Sequence, residues 1–368
     1  MAFFVRRLLF FTGGYAMSKT MLVAVTDGCG NLCVRQAPLP SIGPYEALLE
    51  MRFGATCAAT DQRVIDGGHP RPLQYPGILG HESVGRVIAL GEKVTSFHPG
   101  DLITRVGAPA LDELAPLWGG FAQYGVATDW QAMRRDGFGE DRWRKARVQR
   151  VVPPDIDERV APMMITWRET LSYVNRVGVE AGMEVLVTGS GANALAIIGH
   201  CAFAGCRVVA TGSAARESLA RRAGASAYLD YHAAQLPSRL RELFPRGIDR
   251  IFDAVGYARN VNDALPLVRP GACVGVYGWH ARSDYGVNPF LAAHTFRLYC
   301  DGYDEPETHE EVVSRIRSGA LDASLYYDCA RPVPLEQIAQ AYADLRERRA
   351  VKYLIDLRVL GADCASAV

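Results

Sequence analysis

Residues 76–101, PGILGHESVGRVIALGEKVTSFHPGD, set a His81–Glu82 pair on a glycine-framed turn immediately ahead of two short segments with strand patterning. Gly80, Gly85, Gly91 and Gly100 punctuate the run at turn positions, while Val84, Val87, Ile88, Val94 and Phe97 supply the apolar side of strands. Spacing of this kind suits a small, highly curved β-barrel.

The pattern changes near residue 160. Up to there the chain consists of short β-runs separated by Gly and Pro; from Glu180 onward short apolar strands alternate with helical stretches. Val185-Leu186-Val187 leads into Gly189-Ser190-Gly191-Ala192-Asn193-Ala194, then an apolar helix over 195–204 and a second strand over 207–210. This is a βαβ unit. Further strands are expected over 227–229, 250–253, 272–277 and 296–299, giving a doubly wound parallel sheet. The tail, 332–357, reads as a helix over 335–346 followed by a strand over 351–355.

Composition narrows the field. With 368 residues, 49% of them apolar, the chain can bury one large or two medium cores, and its length favours two domains. Forty basic residues balance forty acidic ones, which argues against a nucleic-acid or anionic-membrane binder. One basic run, Arg134, Arg135, Arg142, Arg144, Lys145, Arg147 and Arg150, reads as a solvated surface insertion. The nine cysteines form no regular framework and suggest reduced thiols in a cytoplasmic protein. Residues 1–20 are apolar but interrupted by Arg6 and Arg7, too short to span a bilayer; they are expected to be an extension ahead of a first strand near Met21.

The GHE turn, the downstream Gly-x-Gly-x-x-Ala segment and the return at the tail together resemble the medium-chain dehydrogenase/reductase superfamily, in its branch of zinc-type alcohol and polyol dehydrogenases. The resemblance runs from Met21 to Leu357. It implies an α/β chain with a GroES-like curved β-barrel catalytic domain, discontinuous over 21–160 and 301–368, and a Rossmann cofactor domain over 161–300. It also implies that the GHE histidine, His81, binds a catalytic zinc with Glu82 just behind the metal. The structural zinc lobe of such enzymes needs four closely spaced cysteines, and none lies between Asp101 and Gly119. That lobe is excluded.

The chain departs from the family at the catalytic metal. The usual Cys-Gly-Thr/Ser-Asp is here Cys57-Ala58-Ala59-Thr60-Asp61. Aligning Thr60 and Asp61 puts Ala58 at the thiolate position and leaves Cys57 one residue early. Neighbours point about 100° apart on a helix and to opposite faces on a strand, so Cys57 is expected to miss the metal. The third ligand position falls within Met164 to Trp167, where no ligand stands, and Glu169 lies one helical turn beyond. Catalytic zinc is therefore expected to be absent; were it present, Cys57, His81 and Glu82 would hold it. Without it, His81 is either an inherited packing residue or the acid/base itself, with Asp61 orienting it and Thr60 in the proton-relay position. Arg63 stands where relatives carry a second relay histidine.

The cofactor argument rests on the glycine turn. Gly189 permits the tight turn and Gly191 the approach of a pyrophosphate to the helix N-terminus, with Ala194 in the third glycine's place. The second strand ends in Thr211-Gly212-Ser213-Ala214-Ala215-Arg216 with no acid to bind the ribose hydroxyls, so Ser213 and Arg216 favour NADP(H) over NAD(H). Lys352 in the tail is counted with the cofactor residues. Trp118, Phe121, Trp167 and Tyr277 are expected at the cleft. The resulting expectation is an NAD(P)-dependent oxidoreductase acting on a polyol- or sugar-like secondary alcohol and its ketone. The alternatives are a zinc-free quinone or enoyl reductase and a non-catalytic cofactor binder. The partner is a small molecule rather than a nucleic acid or a membrane, and a homodimer through the last Rossmann strand is expected.

Overall fold

The computed structural model describes residues 20–233, 235–278 and 284–359. Residues 1–19, nearly all of the N-terminal segment considered above, lie outside the described residues.

The strand Glu46–Ala55 organises the barrel. Its residues alternate between partly and fully buried, with Ala47, Leu49, Met51 and Phe53 inward, as a half-buried strand requires. It pairs antiparallel with Glu82–Leu90, Tyr124–Thr128 and Leu354–Asp356. The tail thus rejoins the first half of the chain in one sheet. A smaller sheet built on Thr20–Thr26 and Leu32–Pro38 packs alongside. Gly80, at φ +103°, sits where an added Cβ would come 2.7 Å from the Phe121 amide nitrogen. Only glycine lets the chain turn there toward His81.

The second sheet has six strands, Glu184–Thr188, Arg207–Gly212, Ala227–Asp230, Ile248–Asp253, Val268–Val276 and Phe296–Tyr299. In chain order of these strands the sheet runs third, second, first, fourth, fifth, sixth, and every pairing is parallel. This is the doubly wound Rossmann order, with its switch point between the first and fourth strands.

The helix Met163–Val177 joins the two halves of the core. Met163, Met164, Trp167 and Leu171 belong to a buried cluster that also holds Phe53 and Val84 of the barrel and Val185, Val187 and Ala194 of the parallel sheet. The helix ends at Gly178, in the left-handed conformation at φ +81°.

In the tail, the expected single helix begins as a 3₁₀ turn, Leu335–Gln337, before the α-helix Ile338–Arg346. The strand starts at Leu354 rather than 351 because the preceding residues are engaged elsewhere: the Tyr353 amide donates to Thr56 Oγ1 at 2.8 Å and Lys352 carries a buried ion pair. No helix among the described residues is long and apolar enough to cross a membrane.

Candidate active site and cofactor turn

Cys57 lies just past the end of Glu46–Ala55, and the helix Thr60–Ile65 begins three residues later. Residues between them form a turn. The Cys57 thiol, the His81 imidazole and the Glu82 carboxylate each offer a donor atom, all within 4.8 Å of one another. The expectation that a one-residue slip removes Cys57 from the site is corrected here. The 100° and 180° rules hold within regular elements, and the turn over Ala58 and Ala59 absorbs the extra residue.

Asp61 is fully buried and lies 2.9 Å from His81 Nδ1, so the imidazole presents Nε2 to the cluster. The same carboxylate accepts from the Cys57 amide at 3.0 Å and from the Tyr342 hydroxyl in a short hydrogen bond. Burial opposes ionisation of Cys57 and of Asp61, but His81 outweighs it at both, and both are held below their usual ranges. Burial likewise works against a charged His81, and the Asp61 carboxylate more than reverses it. The site therefore favours a thiolate beside a protonated imidazole. Thr60, the first residue of its helix, is partly exposed at the edge of this group.

Lys352, counted with the cofactor residues from sequence, is instead spent on the site. Its ammonium group lies 2.6 Å from both Glu82 oxygens and donates to Thr56 O at 3.0 Å. The pair is almost wholly buried. It neutralises the one carboxylate of the donor cluster.

The wall facing the cluster is aromatic and charged. Trp118, 43% exposed and at φ +64°, tilts over the His81 ring with centroids 5.4 Å apart. Tyr277 and Tyr303 stack at 6.1 Å. Burial first, then the Glu169 charge, pushes both tyrosine hydroxyls up. Phe121 and Trp167, expected at the cleft, are fully buried core instead. Glu169 stays on the Met163–Val177 helix, held by Arg105 in a short ion pair. Met164, Ile165 and Trp167 are fully buried and apolar, so that helix brings no ligand at the expected third position.

In the parallel sheet, Gly189, just past the first strand, sits at φ +120° and its amide donates to Thr211 O at 2.7 Å. A Cβ on Gly191 would meet nothing within 4 Å. The helix Ala192–Phe203 starts there without a side-chain cap, leaving its first amides open to a phosphate. Ala194 is buried beneath the turn. Ser213 is fixed by Ser190 Oγ at 3.2 Å and by the Tyr228 hydroxyl at 2.7 Å. Arg216 follows the second strand, but one of its amino groups donates to the carbonyls of Arg348 and Ala350, each at 2.8 Å. It is tied to the tail rather than standing free in the pocket.

Sequence reasoning missed several groups. Asp253, fully buried at the end of the fourth strand, accepts from Thr188 Oγ1 and from the Val255 and Gly256 amides, each at 3.0 Å, and so braces the loop against Gly189. A strand-terminal Asp before Ala-Val-Gly was the available signal. Tyr342, Tyr303 and Arg105 belong to no motif, and their distance from His81 in sequence hid them.

Known proteins show the same two halves. Residues 43–136 match the alcohol dehydrogenase GroES-like domain and residues 194–318 the zinc-binding dehydrogenase domain. The chain is 27% identical to a probable zinc-binding alcohol dehydrogenase of Mycobacterium tuberculosis, across 93% of this chain and 91% of that one. It is 26% identical to L-galactonate-5-dehydrogenase of Escherichia coli, across 71% and 76%. A putative zinc-binding dehydrogenase from Sinorhizobium meliloti, bound to NADP, superimposes with a TM-score of 0.75 at 20% identity, covering 92% of this chain and all of that one. The chain belongs to the medium-chain dehydrogenase/reductase superfamily, as a zinc-type alcohol dehydrogenase-like member. It is an oxidoreductase of that type.

Proposed function

We propose that the protein interconverts a polyol- or sugar-like secondary alcohol and its ketone with NADP(H), at the Cys57–His81–Glu82 site. The observation that carries this reading is the convergence of those three donors, with Asp61 orienting the imidazole. Hydride transfer to a conjugated carbon, the quinone or enoyl alternative, has no use for such a cluster.

Thiolate, imidazole and carboxylate are the donor set zinc prefers. The expected loss of zinc leaned on Cys57 pointing away and on the apolar third position at Met164 to Trp167; with Cys57 at His81 only the second ground is left, and we read Cys57 and His81 as the residues that would hold the metal, Glu82 beside them. When bound there, zinc supplies Lewis-acid polarisation of the substrate oxygen. The chain's own groups do the rest. Asp61 holds His81 by Nδ1 and keeps Nε2 directed at the site. Lys352 balances Glu82 so that the buried carboxylate does not repel the thiolate. Thr60, at the exposed edge, takes the alcohol proton toward solvent, and Trp118 with Tyr277 and Tyr303 shields the reacting carbon from water.

The Gly189–Gly191 turn would hold the pyrophosphate. The absence of an acid after the second strand supports NADP(H), as does the NADP bound to the S. meliloti relative. We read 21–160 with 301–368 as the catalytic domain and 161–300 as the cofactor domain. A homodimer through Phe296–Tyr299 completes the proposal, since among the described residues that strand is the edge of the sheet, and it carries the exposed Leu298. The test is turnover of NADPH and NADH against ketoses, simple ketones and enones. Reduction of ketones in preference to enones is the expected result, and reduction of enones alone would replace this reading with the alternative.

A further inference from the structure

Arg105 is a non-glycine residue at φ +59°, a conformation that side chains with a Cβ avoid unless the surroundings impose it. Its contacts show what imposes it here. The Arg105 amide donates to Ser83 O at 2.8 Å, and its Nη1 donates to His81 O at 2.9 Å. One residue therefore grips the chain on both sides of Glu82. The left-handed turn is what allows the side chain to fold back over its own strand partner.

The rest of the guanidinium is spent on the opposite wall. Nε donates to Glu305 Oε2 at 3.0 Å and Nη2 holds Glu169 in a short hydrogen bond. The other Glu305 oxygen takes Arg168 Nη2, which also donates to Thr104 Oγ1 at 3.0 Å. Two guanidiniums and two carboxylates balance in a nearly dry space. Glu305 lies in a segment whose other acids are also paired: Asp304 with Arg147 at 3.1 Å, Glu307 with Arg176 at 2.8 Å, and Glu310 with Arg150 at 3.0 Å. Tyr303, on the aromatic wall, precedes them directly.

The geometry points to Arg105 as a positioning residue: it fixes the His81 main chain against the Glu305 segment and thereby sets where the imidazole meets Cys57. This rests on the reading of Cys57, His81 and Glu82 as a metal site. A lysine cannot replace it, because a single ammonium lacks the planar fork that serves three acceptors in fixed directions.

Cobalt(II) titrated into metal-free protein is the probe, followed by its visible absorption in wild type, Arg105→Lys and Arg147→Gln. Arg147→Gln loosens the same acidic segment without touching His81. Arg105→Lys is expected to bind cobalt about 10–100-fold more weakly, the usual consequence of removing a group that orients a ligand, with shifted thiolate–cobalt bands. Arg147→Gln is expected to match wild type in both. Wild-type affinity and spectrum in Arg105→Lys would overturn the inference, as would equal damage in Arg147→Gln. If wild type takes up no cobalt, the metal reading fails, and Arg105 is then judged by the His81 imidazole nitrogen resonances in the metal-free proteins. Displacement in Arg105→Lys alone supports its role, and unchanged resonances refute it. Should Arg105→Lys fail to fold, Glu169→Gln, which removes the charge paired with Arg105 Nη2, replaces it with the same criteria.

Discussion

Cys57 and Asp61 bind each other twice: the Asp61 amide donates to Cys57 O at 3.1 Å, and the Cys57 amide donates to Asp61 Oδ2 at 3.0 Å. This pair of bonds closes the turn over Ala58 and Ala59 and delivers both side chains to His81. Asp61→Asn keeps the shape but loses the charge that holds the imidazole. It should cost about 1–3 kcal/mol of stability, since a buried hydrogen-bond set is left imperfectly matched. It should also lower kcat about 10–100-fold with little change in cofactor affinity. Denaturant unfolding and steady-state kinetics read the two effects separately; a normal kcat would remove Asp61 from the catalytic account.

The Lys352–Glu82 pair is almost wholly buried, so removing one partner strands a charge. Lys352→Met should destabilise the protein by about 3–5 kcal/mol, and adding Glu82→Gln should recover much of that loss. Additive losses in the double variant would show that the two groups do not depend on each other.

Much of this was legible in the sequence. The six parallel strands and their switch-point glycines announce themselves through apolar runs ending in Gly, and GHE marks the barrel turn, because local sterics dictate each of these signals. Cys57 misled because register was counted as if the chain were regular through Ala58 and Ala59. Lys352 and Arg216 misled for a different reason. A long cation's partner is set by which distant backbone the fold brings near, here Glu82 for one and the carbonyls of Arg348 and Ala350 for the other. Nothing near Arg105 in sequence signals its left-handed backbone.

Arg216→Ala tests the cofactor preference. Because its guanidinium is spent on the carbonyls of Arg348 and Ala350, the substitution should change NADPH and NADH affinity alike, measured by calorimetry. Selective weakening of NADPH by about 1–3 kcal/mol, the scale of a lost charged hydrogen bond, would show instead that Arg216 turns to the 2′-phosphate.

His200 and His309 are built alike. Each accepts from a buried arginine at Nδ1, Arg315 at 3.2 Å and Arg168 at 3.3 Å, and each sets Nε2 against a backbone carbonyl. Burial first, then the arginine charge, lowers both to about 3. The unfolded chain therefore binds more protons, so their contribution is complete above about pH 6.5 and declines as pH falls toward 3. Thermal stability should drop between pH 7 and 5, by up to about 1.4 kcal/mol per unit for each histidine. His309→Gln should flatten that slope, and an unaltered slope would assign acid lability to the carboxylates.

Leu298 is 45% exposed on the edge strand Phe296–Tyr299. Leu298→Lys should weaken a dimer formed through that edge, because a charge there opposes strand addition. Sedimentation velocity at micromolar protein reads the result; a monomeric wild type would remove the dimer, and an unaffected variant would move the interface.

If alcohol–ketone chemistry occurs at Cys57 and His81, the rate of NADPH-dependent ketose reduction by wild type and by Cys57→Ala reads it, with folding of the variant verified by its cofactor affinity. Wild type should turn over, and Cys57→Ala should lose at least about a hundredfold at unchanged NADPH binding, the scale expected when catalysis loses a group that organises the reacting oxygen. Turnover in Cys57→Ala equal to wild type would contradict chemistry at these residues.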